Sequence, residues 1–111
     1  MKFYIITGEP SGDLHAANLV EELKKCDREL EFRAYGGERL LAQGVKLAKH
    51  IKETAFMGIL DVLKNLGVIK KNLNYCKKDI LEYNPDALIL VDYPGFNLKI
   101  AKFAKMLAVS Y

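Results

Sequence analysis

The sequence is poor in cysteine, and this excludes several classes of protein. Cys26 and Cys76 are the only two cysteines, and neither lies in a CxxC pattern or at a Cys/His metal-binding spacing. A disulfide scaffold and a zinc module are therefore excluded. Two reduced thiols, buried or half-buried in a cytosolic protein, are the expected arrangement.

Long hydrophobic runs are missing as well. Only a few apolar residues stand between Lys2 and Gly8, so no signal peptide is predicted, and no run approaches the ~20 residues that span a bilayer. Low-complexity tracts, internal repeats and linkers are also absent. With 111 residues and a formal charge of +3, the chain is expected to form one globular domain, and its charge is too small to indicate a nucleic-acid partner.

The excess positive charge lies in the second half of the chain, where lysines face few acidic residues. Two interpretations stay open: a basic face that contacts only solvent, and a surface that meets an anionic surface or ligand. The lysines concerned are Lys64, Lys70, Lys71, Lys77, Lys78, Lys99, Lys102 and Lys105.

Familiar nucleotide-binding and nucleophile motifs are missing from the sequence Gly-Glu-Pro-Ser-Gly-Asp at positions 8–13, here called the GEPSGD motif. It is neither a Walker A loop nor a GxGxxG fingerprint, and the order of its residues excludes a GxSxG nucleophile elbow. The motif follows an apolar, β-branched run at residues 3–7 and precedes a helical pattern from about residue 13 to 25. Such a unit directs free backbone N–H groups to the sheet edge where open α/β domains bind ligands.

The chemistry of the GEPSGD motif allows two roles. Ser11 and Asp13 are residue types that cap a helix N-terminus, so a plain helix cap is one role. Glu9 and Pro10 add an acid and rigidity that capping does not require, which favours a ligand-binding loop.

Predicted strands and helices alternate along the rest of the chain, which indicates an α/β fold with an open, doubly wound parallel sheet. The predicted elements are a strand at 30–35, a helix at 38–43, a weak strand at 45–47, a connection at 48–55, a helix that ends before Pro85, a strand at 87–91 and a helix from about 98 to 107. The run at 87–91 is continuously apolar, as is typical of a central parallel strand covered on both faces. The chain stops where such a fold would enter another strand, so a fragment of a longer protein is expected.

Asp92 directly follows the strand at residues 87–91. A carboxylate at the carboxyl edge of a parallel sheet lies where α/β enzymes place catalytic groups, and partial desolvation there favours general-base chemistry. An Asx turn ahead of Pro94 is the alternative, and position alone leaves both open. His15 and His50 have no paired acid or cysteine at ligand spacing and are interpreted as surface or packing side chains.

The region at residues 57–69 has more large apolar residues than one core face of a helix needs. An apolar surplus flanked by lysines is typical of a segment at a membrane interface, and a helix buried on two sides accounts for it equally well. Both interpretations stay open. The residues are Ile59, Leu60, Val62, Leu63, Leu66 and Ile69.

Taken in order, these motifs resemble the N-terminal part of the lipid-A-disaccharide synthase family. The likeness rests on the GEPSGD motif, the glycine pair at 36–37, the sequence Phe-Met-Gly-Ile at 56–59 and residues 85–97, and it covers nearly the whole chain. It implies the acceptor-side, N-terminal half-domain of a GT-B glycosyltransferase, in which two Rossmann-like domains face each other across a cleft. Neither a metal nor a cofactor is expected from this resemblance.

The resemblance also implies a reaction. Members of the family join UDP-2,3-diacylglucosamine to 2,3-diacylglucosamine 1-phosphate (lipid X), release UDP and form the lipid A disaccharide with inversion at the anomeric carbon. They act on the cytoplasmic face of the inner membrane, so the expected partners are both lipids and an anionic membrane surface. A C-terminal domain holds most of the UDP in the family, so transfer by this chain alone is not expected. A competing hypothesis is a non-catalytic α/β module that binds lipid or membrane.

Particular residues receive roles from the same resemblance. Asp92 matches the aspartate proposed as the base that takes the proton from the acceptor's 6-hydroxyl. Gly95 stands where many members carry a second acid, so Asp92 alone is expected to serve. The region at 57–69 matches the family's membrane-facing, acyl-receiving region. Substrate binding is implied for Gly8, Glu9, Ser11, Gly12, Asp13, Met57, Gly58 and Asn97.

Overall fold

The computed structural model describes residues 1–27, 29–54, 66–91 and 93–107. The strands are β1 (Lys2–Thr7), β2 (Glu31–Gly36), β3 (Lys46–His50) and β4 (Ala87–Val91). The helices are α1 (Pro10–Cys26), α2 (Glu38–Ala42), α3 (Ile51–Thr54), α4 (Leu66–Tyr83) and α5 (Pro94–Met106).

The strands form one parallel sheet in the order β3-β2-β1-β4. Ile5 of β1 pairs with Ala34 of β2 on one side and with Ile89 of β4 on the other. From β1 the chain moves outward through β2 and β3, and it then returns to the opposite side of β1 to form β4. The predicted doubly wound parallel α/β sheet is confirmed, and the point where its winding reverses lies between β1 and β4.

Alternate side chains of β1 enter two cores on opposite faces of the sheet. Against α4 and α5 the core consists of Tyr4, Ile6, Tyr35, Leu73, Cys76, Ile80, Leu88, Phe96, Ile100 and Ala104. Against α1 and α2 it consists of Ile5, Ala16, Ala17, Val20, Phe32, Ala34, Leu40 and Val45. Because helices cover both faces, the middle of β1 is hydrophobic, from Phe3 to Ile6.

A partly buried polar network fixes α4 on the sheet. Arg33 of β2 makes a two-pronged ion pair with Asp79 of α4, with Nε 2.6 Å from Oδ2 and Nη2 2.8 Å from Oδ1. The Tyr4 hydroxyl of β1 donates to the same Oδ2 at 2.7 Å. Burial raises the pKa of Tyr4, and the hydrogen bond to Asp79 raises the pKa of Arg33. One carboxylate therefore joins β1, β2 and α4.

Several predicted boundaries were wrong. α1 begins at Pro10 rather than near residue 13, because proline suits the first helical position, where the missing N–H has no partner to lose. β3 extends to His50 and α3 follows it directly, so much of the predicted connection at 48–55 is strand and helix. α5 likewise begins at a proline, Pro94, four residues before the predicted start.

β4 forms at the predicted residues but not at the predicted place in the sheet. Among the described strands it pairs with β1 alone and is an outer strand, while β1 lies between two neighbours. Leu88 is buried, whereas Ile89 and Leu90 are half-buried. An apolar run predicts that both faces of a strand are covered. It does not predict the position of that strand in the sheet, which depends on the direction of the crossover that leads to it.

Candidate functional site

The carboxyl ends of the strands meet along one edge of the sheet, here called the carboxyl edge. The last paired residues of β1 and β4 are Thr7 and Val91. Thr7 directly precedes the GEPSGD motif, and Val91 directly precedes Asp92 in the sequence. The Thr7 hydroxyl donates to the backbone carbonyl of Tyr35 on β2 at 2.9 Å. Open α/β sheets bind ligands at this edge, at the switch point.

The GEPSGD motif itself forms the first turn of α1. Glu9 is the extended residue before the helix and makes no side-chain capping bond. Ser11 and Asp13 lie inside the helix, so of the two roles left open for the motif, a cap of this helix by either side chain is not the one observed. Glu9 and Ser11 are exposed, whereas Gly12 and Asp13 are buried. Glu9 and Ser11 are thus the motif's accessible polar side chains.

Asp13 caps a different helix, α2. Its Oδ1 accepts the N–H of Gly37 at 2.7 Å and of Leu40 at 3.2 Å, and its Oδ2 accepts the N–H of Arg39 at 2.9 Å. N–H groups at a helix start have no partner within the helix and attract negative charge. A Cβ at position 37 would lie 2.9 Å from Asp13 Oδ2, so the glycine gives the carboxylate its place. With 3% of its surface exposed, Asp13 joins α1 to α2.

A pocket of about 560 Å³ opens beside the GEPSGD motif, where α1, α2 and α3 begin. Its lining combines apolar side chains with cationic, anionic and polar ones, the acids being Asp13 and Glu38. It includes Pro10, Ser11, Leu14, Arg39, His50 and Lys52. A concave site with a few polar groups at the carboxyl edge has the general form of a ligand-binding site.

His50 lies in this pocket, although the sequence pattern predicted only a surface or packing side chain for it. It is the last residue of β3, with Nε2 3.0 Å from Glu38 Oε1. Its Nδ1 accepts the backbone N–H of Lys52 at 3.1 Å, which places the proton of the neutral ring on Nε2. The strand pattern at 45–47 was too weak to carry β3 as far as position 50. Extending it would have brought His50 to the carboxyl edge.

Tyr93 occupies the other side of the switch point. Its backbone is left-handed, with φ 54° and ψ 54°, and its ring stacks on Phe96 at 4.7 Å between centroids. A Cβ added to Gly8 would lie 2.5 Å from Tyr93 Cγ, so the glycine lets the ring approach the GEPSGD motif. Burial is the main cause that raises the pKa of Tyr93. The sequence marked this position only as part of a turn.

Asn97, a predicted substrate-binding residue, lies on the first turn of α5. It is 5% exposed, and its Nδ2 donates to the carbonyl of Ile6 at 3.4 Å. Its backbone N–H donates to the carbonyl of Tyr93 at 2.9 Å. Asn97 therefore ties the start of α5 to the end of β1.

Gly95 is exposed on α5, where the family resemblance places a second acid in many members. Among the described residues beyond its own helix backbone and chain neighbours, no atom lies within 4 Å of the Cβ that another residue would carry there. An acidic side chain thus fits at this position without displacing those atoms. As for metals, no three His, Cys, Asp or Glu side chains within the described ranges are placed to hold an ion.

Other predicted site residues lie outside the described residues. These are Asp92, Met57, Gly58, Ile59, Leu60, Val62 and Leu63. For Leu66 and Ile69 the backbone is described as part of α4. Within the parts of the chain that the structure describes, no helix is long and apolar enough to cross a membrane.

The sheet order and the motif at its switch point define the class as Rossmann-like α/β domains. Comparison with known proteins then gives the family. The chain belongs to the lipid-A-disaccharide synthetase family, whose sequence model matches residues 3–110. The resemblance seen in the sequence is thereby confirmed.

Individual relatives agree with the family assignment. The lipid-A-disaccharide synthase of Geobacter metallireducens is 44% identical over 105 residues, which cover 95% of this chain and 27% of that protein. The enzyme of the same name from Myxococcus xanthus is 43% identical over 108 residues, or 97% of this chain and 28% of that protein. Lipid-A-disaccharide synthase 1 of Legionella pneumophila is 43% identical over 101 residues, covering 91% and 26% respectively. The chain thus spans about a quarter of the length of these relatives.

Proposed function

We propose that this chain is the acceptor-side, N-terminal domain of a lipid-A-disaccharide synthase. The complete enzyme transfers 2,3-diacylglucosamine from UDP-2,3-diacylglucosamine to 2,3-diacylglucosamine 1-phosphate (lipid X). UDP is the leaving group, and the product is the lipid A disaccharide. A C-terminal domain beyond these 111 residues supplies most of the UDP site.

The pairing of β1 with β4 is the observation that supports this proposal most directly. Thr7 and Val91 are partners at the ends of these strands, so the GEPSGD motif and the residue before Asp92 adjoin at the switch point. The two most distinctive motifs of the sequence are far apart along the chain and meet at one edge of the sheet. Binding and catalytic groups from different loops converge in this way in α/β enzymes.

In the proposed mechanism, Asp92 is the general base. Its carboxylate takes the proton of the acceptor's 6-hydroxyl as that oxygen attacks the anomeric carbon of the donor. The new carbon–oxygen bond forms on the face opposite the bond to UDP, which breaks with its electron pair going to the departing phosphate oxygen. Attack from the opposite face inverts the anomeric carbon. A positioned base typically contributes about 10²- to 10⁴-fold to the rate.

In this proposal, the other residues at the carboxyl edge bind the substrate or hold the surrounding backbone in place. Glu9 and Ser11, exposed on the first turn of α1, contact the substrate directly. Asp13 and Asn97 are buried and hydrogen-bonded to backbone, so they hold the α2 and α5 ends of the edge in place.

Membrane contact through the region at 57–69 is part of the same proposal. Support comes from the basic second half of the chain, since Lys70, Lys71 and Lys78 on α4 and Lys99, Lys102 and Lys105 on α5 are exposed. Basic side chains beside an apolar segment favour an anionic lipid surface. We infer a peripheral location on the cytoplasmic face of the inner membrane, where both lipid substrates are held.

A chimera tests the catalytic assignment. This chain replaces the matching N-terminal region of the Geobacter metallireducens enzyme, and UDP release dependent on lipid X is measured. We expect an active chimera whose kcat falls about 10³-fold with Asp92→Asn. Asp86→Asn is the matched control, because Asp86 directly precedes β4 whereas Asp92 directly follows it, and Asp86 Oδ2 accepts an exposed backbone N–H from Lys2.

Two results would contradict this proposal. A chimera that folds but lacks transfer activity would oppose the synthase assignment and favour the non-catalytic module. Unchanged turnover in the Asp92→Asn chimera would remove Asp92 as the base while leaving the family function in place.

A further inference from the structure

We propose that the pocket beside the GEPSGD motif binds the phosphate of the acceptor together with the first part of one acyl chain. In chemical terms, its ligand is an amphiphile with a phosphomonoester head. The inference rests on the proposed function, because the acceptor, 2,3-diacylglucosamine 1-phosphate, has this chemistry. Its phosphate and one acyl group are attached at neighbouring positions, carbons 1 and 2, so one pocket can meet both.

The pocket lies at the carboxyl edge of the sheet. Pro10 and Ser11 in the first turn of α1 are part of its lining, and Ser11 is one of the residues proposed to contact the substrate. Its volume of about 560 Å³ falls within the range of about 300–1,000 Å³ that is typical of ligand sites. A substrate held at the switch point can therefore extend one end into this pocket.

Two cationic side chains of the lining have no acidic partner. Arg39 near the start of α2 and Lys52 on α3 are both exposed. Within the described ranges, the ion pairs join Lys25 to Glu22, Arg33 to Asp79 and His50 to Glu38, and none includes Arg39 or Lys52. Guanidinium and ammonium groups are the side chains that most often bind phosphate.

Both acids of the lining have other partners. Asp13 is 3% exposed, and its two oxygens accept three backbone N–H groups. Glu38 has Oε1 3.0 Å from His50 Nε2. The guanidinium of Arg39 and the ammonium of Lys52 are thus available to an anion.

Apolar side chains form the rest of the wall. Pro10, Leu14 and Ile51 line the pocket, and the carbon stems of Arg39 and Lys52 add to this surface. Leu14 lies outside both cores described above and is 38% exposed. A small inorganic anion leaves such a wall in contact with water, whereas an alkyl chain attached to the phosphate covers it. The combination of cations and apolar wall therefore favours an amphiphile.

Titration calorimetry on the 111-residue chain tests the chemistry of the ligand. The probes are octyl phosphate, methyl phosphate and octyl glucoside, each below the concentration at which it forms micelles. Octyl phosphate should bind at least about 10-fold more tightly than either of the others, because it alone has both the charged head and the chain. Equal binding of octyl phosphate and either partial probe would overturn the inference.

Charge variants locate the phosphate. Arg39→Gln with Lys52→Gln should weaken octyl phosphate binding at least about 10-fold and leave octyl glucoside within about twofold. Lys25→Gln with Lys46→Gln is the matched control, since it removes the same charge from exposed residues at the last turn of α1 and the start of β3, outside the pocket lining. Equal losses in the two double variants would place the ligand elsewhere on the chain and overturn the inference.

A pair of leucine variants locates the alkyl chain. Leu14→Gln should weaken octyl phosphate binding about 3- to 10-fold and leave methyl phosphate unchanged, because only the longer probe covers the wall. Leu19→Gln is the control, since Leu19 lies on the same helix with a similar exposure of 40% but outside the pocket lining. An unchanged affinity for octyl phosphate in Leu14→Gln would contradict the proposed seat of the chain.

Kinetics of the chimera connect the pocket to the acceptor. Arg39→Gln with Lys52→Gln should raise KM for lipid X about 10-fold and keep kcat within about threefold, since the contact is made equally before and during transfer. An active chimera with unchanged KM would overturn this inference and leave the proposed function standing. An inactive parent chimera would overturn the proposed function and with it the acceptor as the ligand, while the titrations still decide whether the pocket binds a phosphate amphiphile.

Discussion

Asp13 connects the two glycine-containing turns at the carboxyl edge, although it belongs to α1. Its carboxylate replaces the capping residue that α2 lacks, because Gly37 before that helix has no side chain to offer. The GEPSGD motif therefore stabilises the start of α2 through Asp13, in addition to the substrate-binding role proposed for Glu9 and Ser11. That stabilisation can be measured by itself.

Asp13→Ala should destabilise the chain by about 3 kcal/mol, because three backbone N–H groups lose a charged acceptor. Asp13→Asn should cost less, about 1–2 kcal/mol, since one oxygen remains. Urea unfolding gives both values. Asp27→Ala is the control: Asp27 accepts one exposed N–H, from Glu29, so a change below about 1 kcal/mol is expected. Equal costs at the two positions would contradict the cap.

The two cysteines should differ in reactivity. Cys26 is exposed, while burial is the main cause that raises the pKa of Cys76 to about 12. At about pH 8 a disulfide reagent should modify Cys26 quickly and Cys76 only after unfolding, because the thiolate is the nucleophile. A native Cys26→Ser variant that reacts quickly would contradict this.

The same thiol makes stability depend on alkaline pH. The pKa of Cys76 rises from 9.0 in the unfolded chain to about 12 in the folded one, so its contribution is complete below pH 9. It is lost as the pH rises from about 9 through 12. Comparison of alkaline unfolding with Cys76→Ala, whose stability should fall less over this interval, measures the effect.

Part of the site could be predicted from the sequence at this scale. A glycine-containing motif follows one predicted strand, and an aspartate follows another. Their order in the sequence is enough to predict that both lie at the carboxyl edge of the sheet. The clash of Gly8 with Tyr93 and the capping of α2 by Asp13 could not be seen, because each depends on the distance between residues brought together by the fold. Local patterns carry no information on such distances.

Among the elements, α4 is joined to the sheet by polar contacts as well as by apolar packing. Asp79 joins it to Tyr4 of β1 and Arg33 of β2, and the Asp79 side chain is only 11% exposed. Removing one partner of a buried ion pair leaves the other charge without compensation, whereas replacing the set with apolar residues avoids that cost.

Asp79→Ala should therefore destabilise the chain by about 3–4 kcal/mol in urea unfolding. The triple variant Tyr4→Phe, Arg33→Met, Asp79→Leu should recover most of this loss. Glu22→Ala serves as the control, because Glu22 pairs with Lys25 on the exposed surface of α1, where loss of an ion pair should change the stability little. A triple variant no more stable than Asp79→Ala would contradict this expectation. It would show that the polar network stabilises the fold by more than the compensation of the two charges.

Elements themselves were largely predictable. The helical period and the apolar runs located α1, α4 and β4, and Gly44 with φ 80° marks the predicted end of α2. The outer position of β4 was not predictable, since both a central and an outer strand can be apolar on two faces when helices cover them. Prolines at the first position of α1 and α5 explain why both helices start earlier than their apolar stripes.

At the scale of the whole molecule, the layer of α4 and α5 is the basic one. Its exposed lysines lie on the opposite side of the sheet from α1 and α2, so the two faces of the domain differ in charge. A face of one sign orients a protein on a charged surface.

Flotation with vesicles tests the proposed membrane contact. The chain should float with phosphatidylglycerol vesicles, and the bound fraction should fall several-fold when Leu60, Leu63 and Leu66 are changed to Ser, because apolar burial is lost. Leu19→Ser with Leu41→Ser is the control, since both residues are exposed on the α1 and α2 side. An unaltered distribution after the triple change would contradict the proposal.

The place of β1 also sets the order in which the domain can assemble. β1 is synthesised first, and its partner β2 follows soon after, but the contact between Lys2 and Asp86 at the start of β4 joins residues 84 positions apart. A nascent chain can pair β1 with β2, and β2 with β3, while the other edge of β1 still awaits β4. Pairing between segments so distant is slow, and an open apolar strand edge invites association with other chains. Translation pauses before residue 87 should therefore increase aggregation more than pauses after residue 91.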